Sequence, residues 1–90
     1  MENPMVLVEY VRGKDNRPIG VIVATGRDEF GWSLCAKADR KFGTVINKKI
    51  ALDIAVGRSL ARTPITDMPK SLFESNVFDR MINRSGRYFK

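Results

Sequence analysis

The stretch from Phe30 to Arg62, FGWSLCAKADRKFGTVINKKIALDIAVGRSLAR, decides the fold because the period of its apolar residues changes part-way along. At its start Phe30, Trp32 and Leu34 alternate with Gly31, Ser33 and Cys35, the two-residue period of a strand. Beyond Phe42 the step lengthens. Ile46, Ile50, Ile54, Gly57 and Ala61 recur at three- and four-residue intervals, which is one face of a helix. Thr44 suits the N-cap, and Pro64 ends the helix near Arg62 because the residue before a proline avoids the α region. Val45, Leu52, Val56 and Leu60 widen the apolar surface, so a largely buried helix is predicted over residues 44–62. Gly57 inside it costs about 1 kcal/mol relative to alanine, which implies a close crossing with another element.

Working outward toward the N-terminus, Met5–Arg12 (MVLVEYVR) is β-branched and aromatic, with strand length. Gly13–Pro18 is a turn, since glycine, aspartate, asparagine and proline each favour reversal. Ile19–Thr25 (IGVIVAT) is the most apolar segment and reads as a central strand covered on both faces. Gly20 within it marks a bulge or a close backbone approach. Short polar links therefore give an antiparallel meander over residues 5–35. Toward the C-terminus, Ser71-Leu72-Phe73-Glu74 matches a capping box, and Thr66 or Asp67 offers an earlier start with Pro69 in the first turn. Leu72, Phe73, Val77, Met81 and Ile82 form the stripe of a second helix over 68–85, with Gly86 as its stop and 86–90 as a loose tail. The expected fold is a single α+β domain, a three-stranded antiparallel sheet followed by two helices packed on one face, with Trp32 beneath them.

The chain has 90 residues, 43% of them apolar, enough for one small domain and too apolar for a mostly disordered chain. A core of this size is marginal, which makes a homo-oligomer a reasonable expectation. Cys35 is the sole cysteine, so there is no disulfide, and a reducing cytoplasmic setting is expected. The start, Met-Glu-Asn-Pro, lacks a basic stretch followed by an apolar core, so secretion is not expected. No apolar run approaches the roughly 18 residues of a membrane span.

The chemistry of catalysis is sparse. There is no histidine to serve as a general base at neutral pH, and one cysteine without histidine excludes the ordinary zinc sites. Phosphate-cradling glycine motifs are missing as well. The chain reads as a non-enzyme without metal or cofactor. Its charge is informative instead. Residues 1–36 carry a net −1 and residues 37–90 a net +7, for +6 overall, which points to an acidic partner.

Three basic clusters carry that charge. Arg40, Lys41, Lys48 and Lys49, with Lys37, flank the start of the first helix, where backbone amides could add donors to a phosphate; a solvated basic turn is the alternative. Arg58 and Arg62, four apart on one helix face, could reach a phosphate or acidic surface together, or pair within the chain with Asp53 or an acid on a strand. Arg80 and Arg84 share a second helix face and lead into Arg87, Tyr88, Phe89 and Lys90. Cations interleaved with aromatics suit single-stranded nucleic acid; a frayed, solvated end is the alternative.

The run from Gly31 to Ala61 resembles a pattern in short proteins encoded by tailed bacteriophages, in which a Gly-Trp-Ser-x-Cys strand leads to an aspartate, a phenylalanine, lysines and an Ala-x-Gly-Arg helix segment. The matching residues are Gly31, Trp32, Ser33, Cys35, Asp39, Phe42, Lys48, Lys49, Ala55, Gly57 and Arg58. The resemblance covers about a third of the chain and implies no activity. It implies a small phage protein in the bacterial cytoplasm that binds nucleic acid or a host protein. The leading expectation is therefore non-catalytic nucleic-acid binding through Arg40, Lys41, Lys48, Lys49, Arg58 and Arg62, with Arg80 and Arg84 as a further cluster. The alternative is a modulator that binds and inhibits a host protein through an exposed apolar patch. A third reading is sequestration of a phosphate-bearing nucleotide in a pocket lined by Lys49 and Arg58.

Overall fold

Alternation along the apolar segment at 19–25 builds the middle of the sheet. The computed structural model describes residues 6–12, 18–34 and 48–89. Strands β1 (Leu7–Arg12), β2 (Pro18–Gly26) and β3 (Glu29–Leu34) form an antiparallel meander in the order β1-β2-β3, as the sequence predicts. Val8 pairs with Val23 and Tyr10 with Val21 on one side of β2; Ile22 pairs with Trp32 and Val23 with Gly31 on the other. Gly20 stands opposite Val11, where the β1–β2 register shifts before Arg12 reaches Pro18.

Helix α1 spans Lys48–Leu60, a 3-10 turn follows at Ile65–Asp67, and two further helices are α2 (Lys70–Phe73) and α3 (Asn76–Tyr88). The apolar alternation of β2 decides where they go. Val21, Ile22, Val23 and Ala24 are all fully buried, so both faces of the strand need cover. Burying each valine or isoleucine is worth about 1.5–3 kcal/mol. On one face Ile22, Ala24, Phe30 and Trp32, with Leu7 and Val11, meet Met68, Leu72, Phe78 and Met81. On the other, Val21 and Val23 meet Ala51 and Ala55 of α1. The central strand is thus covered twice, as expected, but α1 and α3 take opposite faces instead of sharing one. Two helices on one side would leave Val21 and Val23 in water.

Helix α1 turns its small residues inward. Ala51, Ala55 and Ser59, one per turn, are buried, while Ile50 and Ile54 are 57% and 43% exposed. The glycine that allows the close approach is Gly31 on β3. A Cβ built there would overlap the Ala55 carbonyl oxygen and lie 2.7 Å from the Ser59 nitrogen. Gly57, expected at the crossing, is exposed and has nothing within 4 Å of a built Cβ. The part of the predicted helix at 44–47 lies outside the described residues, as does Cys35.

The second predicted helix is divided. Ser75, in an extended conformation, separates α2 from α3 and caps α3 by accepting from the Phe78 N–H at 3.3 Å. Its hydroxyl donates to the Leu72 carbonyl at 2.6 Å. The capping serine is therefore Ser75, and Ser71 lies inside α2. Gly86 does not stop α3, which continues to Tyr88 with Gly86 on its exposed side. Phe89 packs against the α3-side core, so the described part of the expected loose tail is docked.

Candidate functional site

The basic residues singled out from the sequence divide into those held by the fold and those that stand clear of it. Arg58, in the last turn of α1, donates from Nη1 to the Trp32 carbonyl of edge strand β3 at 2.7 Å. Its guanidinium lies 5.8 Å from the Trp32 ring centroid, within cation–π range. Arg84 of α3 does the corresponding work at the opposite edge of the sheet. Its Nη1 donates to Glu9 Oε1 at 3.0 Å and reaches the Val8 carbonyl at 3.4 Å. Arg80 adds a looser contact, 3.7 Å from Glu9 Oε2. Each edge strand thus has a carbonyl covered by an arginine, which blunts an edge that would otherwise invite another strand.

Arg62 follows the end of α1 in the left-handed region, at φ 56°. Its N–H donates to the Ser59 carbonyl at 3.1 Å, and the Thr63 N–H to the Arg58 carbonyl at 3.1 Å. These two bonds define a Schellman stop, with arginine where glycine is usual. The side chain is 81% exposed and its Nε lies 3.9 Å from Glu29 Oε1, a pair of little energetic weight. Pairing with an acid on a strand is thus realised for Arg62. Lys49 is exposed on the first turn of α1, and Lys48 opens the same helix. Arg40 and Lys41 lie outside the described residues.

Sheet geometry keeps the clusters apart. Because α1 and α3 cover opposite faces, Arg58 and Arg62 gather at one end of α1, while Arg80 and Arg84 converge on Glu9 across the sheet. Lys49 sits at the other end of α1. No shared basic face forms from the described members of the three clusters.

Two other features stand out. The first is the outer side of α1, where helical spacing lines up Ile50, Ile54, Gly57 and Ala61, all exposed, beside Arg58 and Arg62. These are the residues the sequence assigns to the buried face. The inward face, Ala51-Ala55-Ser59, carries the same spacing in smaller residues, so periodicity alone does not separate the two.

The second feature is a pair of buried serines with no sequence motif of their own. Ser59 of α1 donates to the Glu29 carbonyl at 2.9 Å and accepts from Thr25 Oγ1 at 2.7 Å. Ser85 of α3 donates to the Gly26 carbonyl at 3.2 Å and accepts from the Asp28 N–H at 3.3 Å. Together they grip the β2–β3 turn from both faces of the sheet. Their only signal in the sequence is position, one turn beyond Ala55 and Met81 respectively.

Beside that turn lies an open cavity of about 400 Å³, lined by Asp28, Glu29, Phe30, Arg62, Thr63, Pro64, Ile65, Phe78 and Ile82. Among the described residues no three cysteine, aspartate or glutamate side chains gather to hold a metal ion. No described helix is long and apolar enough to cross a membrane. The cavity lining presents apolar side chains, the Asp28 and Glu29 carboxylates and the Arg62 guanidinium. No family model, curated protein or solved structure matches the chain.

Proposed function

We propose that the chain is a non-catalytic binding protein whose partner is another protein, engaged by the outer stripe of α1. The observation that carries this reading is the exposure of Ile50 and Ile54 on a helix that meets the sheet through Ala51, Ala55 and Ser59, flanked by Leu52 and Val56. Large apolar residues at helical spacing, beside Arg58 and Arg62, suit a partner groove with an apolar floor and an acidic rim. The chain's +6 charge favours approach to such an acidic surface. In the phage context that the sequence resemblance implies, the partner is a host protein in the bacterial cytoplasm.

Nucleic-acid binding is the second reading. It is favoured by the +7 balance after residue 36 and by the lysine pair that opens α1. Arg80, Arg84 and Arg58 weigh against it, since each has a contact within the chain. Nucleotide sequestration has less support, because Lys49 and Arg58 stand at opposite ends of α1.

Affinity capture from a bacterial lysate tests the choice. It compares the wild-type chain with Ile54→Glu, each with and without nuclease. The protein reading expects a partner that survives nuclease and is lost with Ile54→Glu while the circular dichroism spectrum stays unchanged. Loss of every partner on nuclease treatment, with Ile54→Glu capturing normally, would replace it with the nucleic-acid reading.

A further inference from the structure

The cavity beside the β2–β3 turn is built differently from the rest of the surface. Its floor and apolar wall are Phe30, Phe78, Pro64, Ile65 and Ile82, with Phe30 and Phe78 in an edge-to-face contact, centroids 5.3 Å apart. Its lips are backbone held in the left-handed region, Asp28 at φ 61° and Arg62 at φ 56°. The hydrogen bonds of Ser59 and Ser85 pin the turn that forms one lip, and the Schellman bonds pin the other. The site is therefore formed before any ligand arrives, which lowers the ordering cost of binding.

Charge at the mouth runs against the charge of the chain. Asp28 is exposed and lines the cavity. Glu29 stands beside it, shared with Arg62 only at 3.9 Å. Two carboxylates and one guanidinium thus line an apolar hollow, a net −1 in a molecule of net charge +6.

From this juxtaposition we infer that the cavity is a peptide-docking site, taking one large apolar side chain from a partner segment that carries lysine or arginine next to it. About 400 Å³ suits a single aromatic or branched anchor with its adjoining backbone. Cations beside the anchor would meet Asp28 and Glu29. This site borders the outer stripe of α1 at Arg62, but the inference does not depend on that stripe binding anything.

The test is an amide NMR titration with three acetylated, amidated pentapeptides: Gly-Lys-Phe-Lys-Gly, Gly-Asp-Phe-Asp-Gly and Gly-Lys-Ala-Lys-Gly. Saturable shifts are expected from the first alone, at Phe30, Ile65, Phe78 and Ile82, with a dissociation constant near or below about 1 mM, modest for one anchor. Asp28→Asn, which keeps a side chain tolerant of the left-handed region, should weaken binding about twofold to fivefold. Ile82→Ser should abolish the shifts while leaving the Gly31 and Ala55 amides in place as evidence of an intact fold. Equal binding of the acidic peptide, shifts confined to other surfaces, or no saturable shift at about 1 mM peptide would each overturn the inference.

Discussion

Ser59 donates its hydroxyl to the Glu29 carbonyl at 2.9 Å, tying the last turn of α1 to the first residue of β3. The bond is buried, and Ser59 also accepts from Thr25, so replacing it strands two polar groups. Ser59→Ala should therefore destabilise the fold by about 1–3 kcal/mol. In thermal unfolding that is a fall of roughly 4–8 °C per kcal/mol for a domain of this size. Ser85→Ala removes the matching grip on Gly26 and Asp28 from the other face. The double variant should lose less than the sum of the singles, because each serine holds the same turn. Strict additivity in the melting data would show that the two grips act independently.

The second prediction contrasts two glycines. Gly31→Ala should unfold the domain or cost several kcal/mol, since the new methyl collides with the Ala55 carbonyl and neither backbone can yield cheaply. Gly57→Ala should stabilise by about 0.5–1 kcal/mol, because Gly57 sits exposed inside α1 with open space around it. Chemical denaturation of both purified variants checks this. A destabilised Gly57→Ala would return Gly57 to a packed crossing.

That contrast marks how far the sequence could be read. The apolar run at 19–25 and the period-two alternation at 30–35 specify the meander, because strand faces follow from the pleat and short links leave only antiparallel pairing. Both faces of β2 are apolar, and two helices packed on one face cannot cover both, so α1 and α3 take opposite faces instead of the one expected. The inward side of α1 is not legible in the same way. Ile50-Ile54-Gly57-Ala61 and Ala51-Ala55-Ser59 have equivalent spacing, and size would favour burying the isoleucines. Gly31 reverses that choice by bringing β3 so close that only small residues fit. The break at Ser75 and the roles of Ser59 and Ser85 depend on contacts across many residues, which local pattern does not encode. For the binding surfaces, the sequence locates the charges but not their partners, such as Glu9 for Arg84.

Arg62 supplies the third prediction. An arginine in the left-handed region costs about 1–2 kcal/mol relative to glycine, and its exposed contact with Glu29 returns little. Arg62→Gly should raise the melting temperature. It should leave α1 intact, because the two Schellman bonds involve only backbone. A lower melting temperature for Arg62→Gly would mean that the guanidinium contributes more than its 3.9 Å contact accounts for.

The last prediction separates arginines that belong to the fold from cations available to a polyanion. Arg84 is half-buried and bonds Glu9 and Val8, so Arg84→Ala should destabilise by about 1–2 kcal/mol by leaving Glu9 without its 3.0 Å partner. If the chain binds nucleic acid, each phosphate contact releases a condensed counterion, so affinity falls steeply with salt. Lys48→Ala with Lys49→Ala should then lower the slope of log affinity against log salt by about one to two units. Sequence preference should barely change, since backbone contacts position without specifying. Arg84→Ala, measured well below its melting temperature, should leave that slope unchanged, because the guanidinium is already committed to Glu9. Fluorescence anisotropy with labelled single- and double-stranded DNA and RNA at several salt concentrations reads both effects. Binding weaker than about 10⁻⁴ M at low salt, below ordinary non-specific binding, would reject nucleic acid as the partner. A slope reduced equally by Arg84→Ala would instead mean that Arg84 leaves Glu9 for a phosphate in the complex, and that the sheet edge it covers opens on binding.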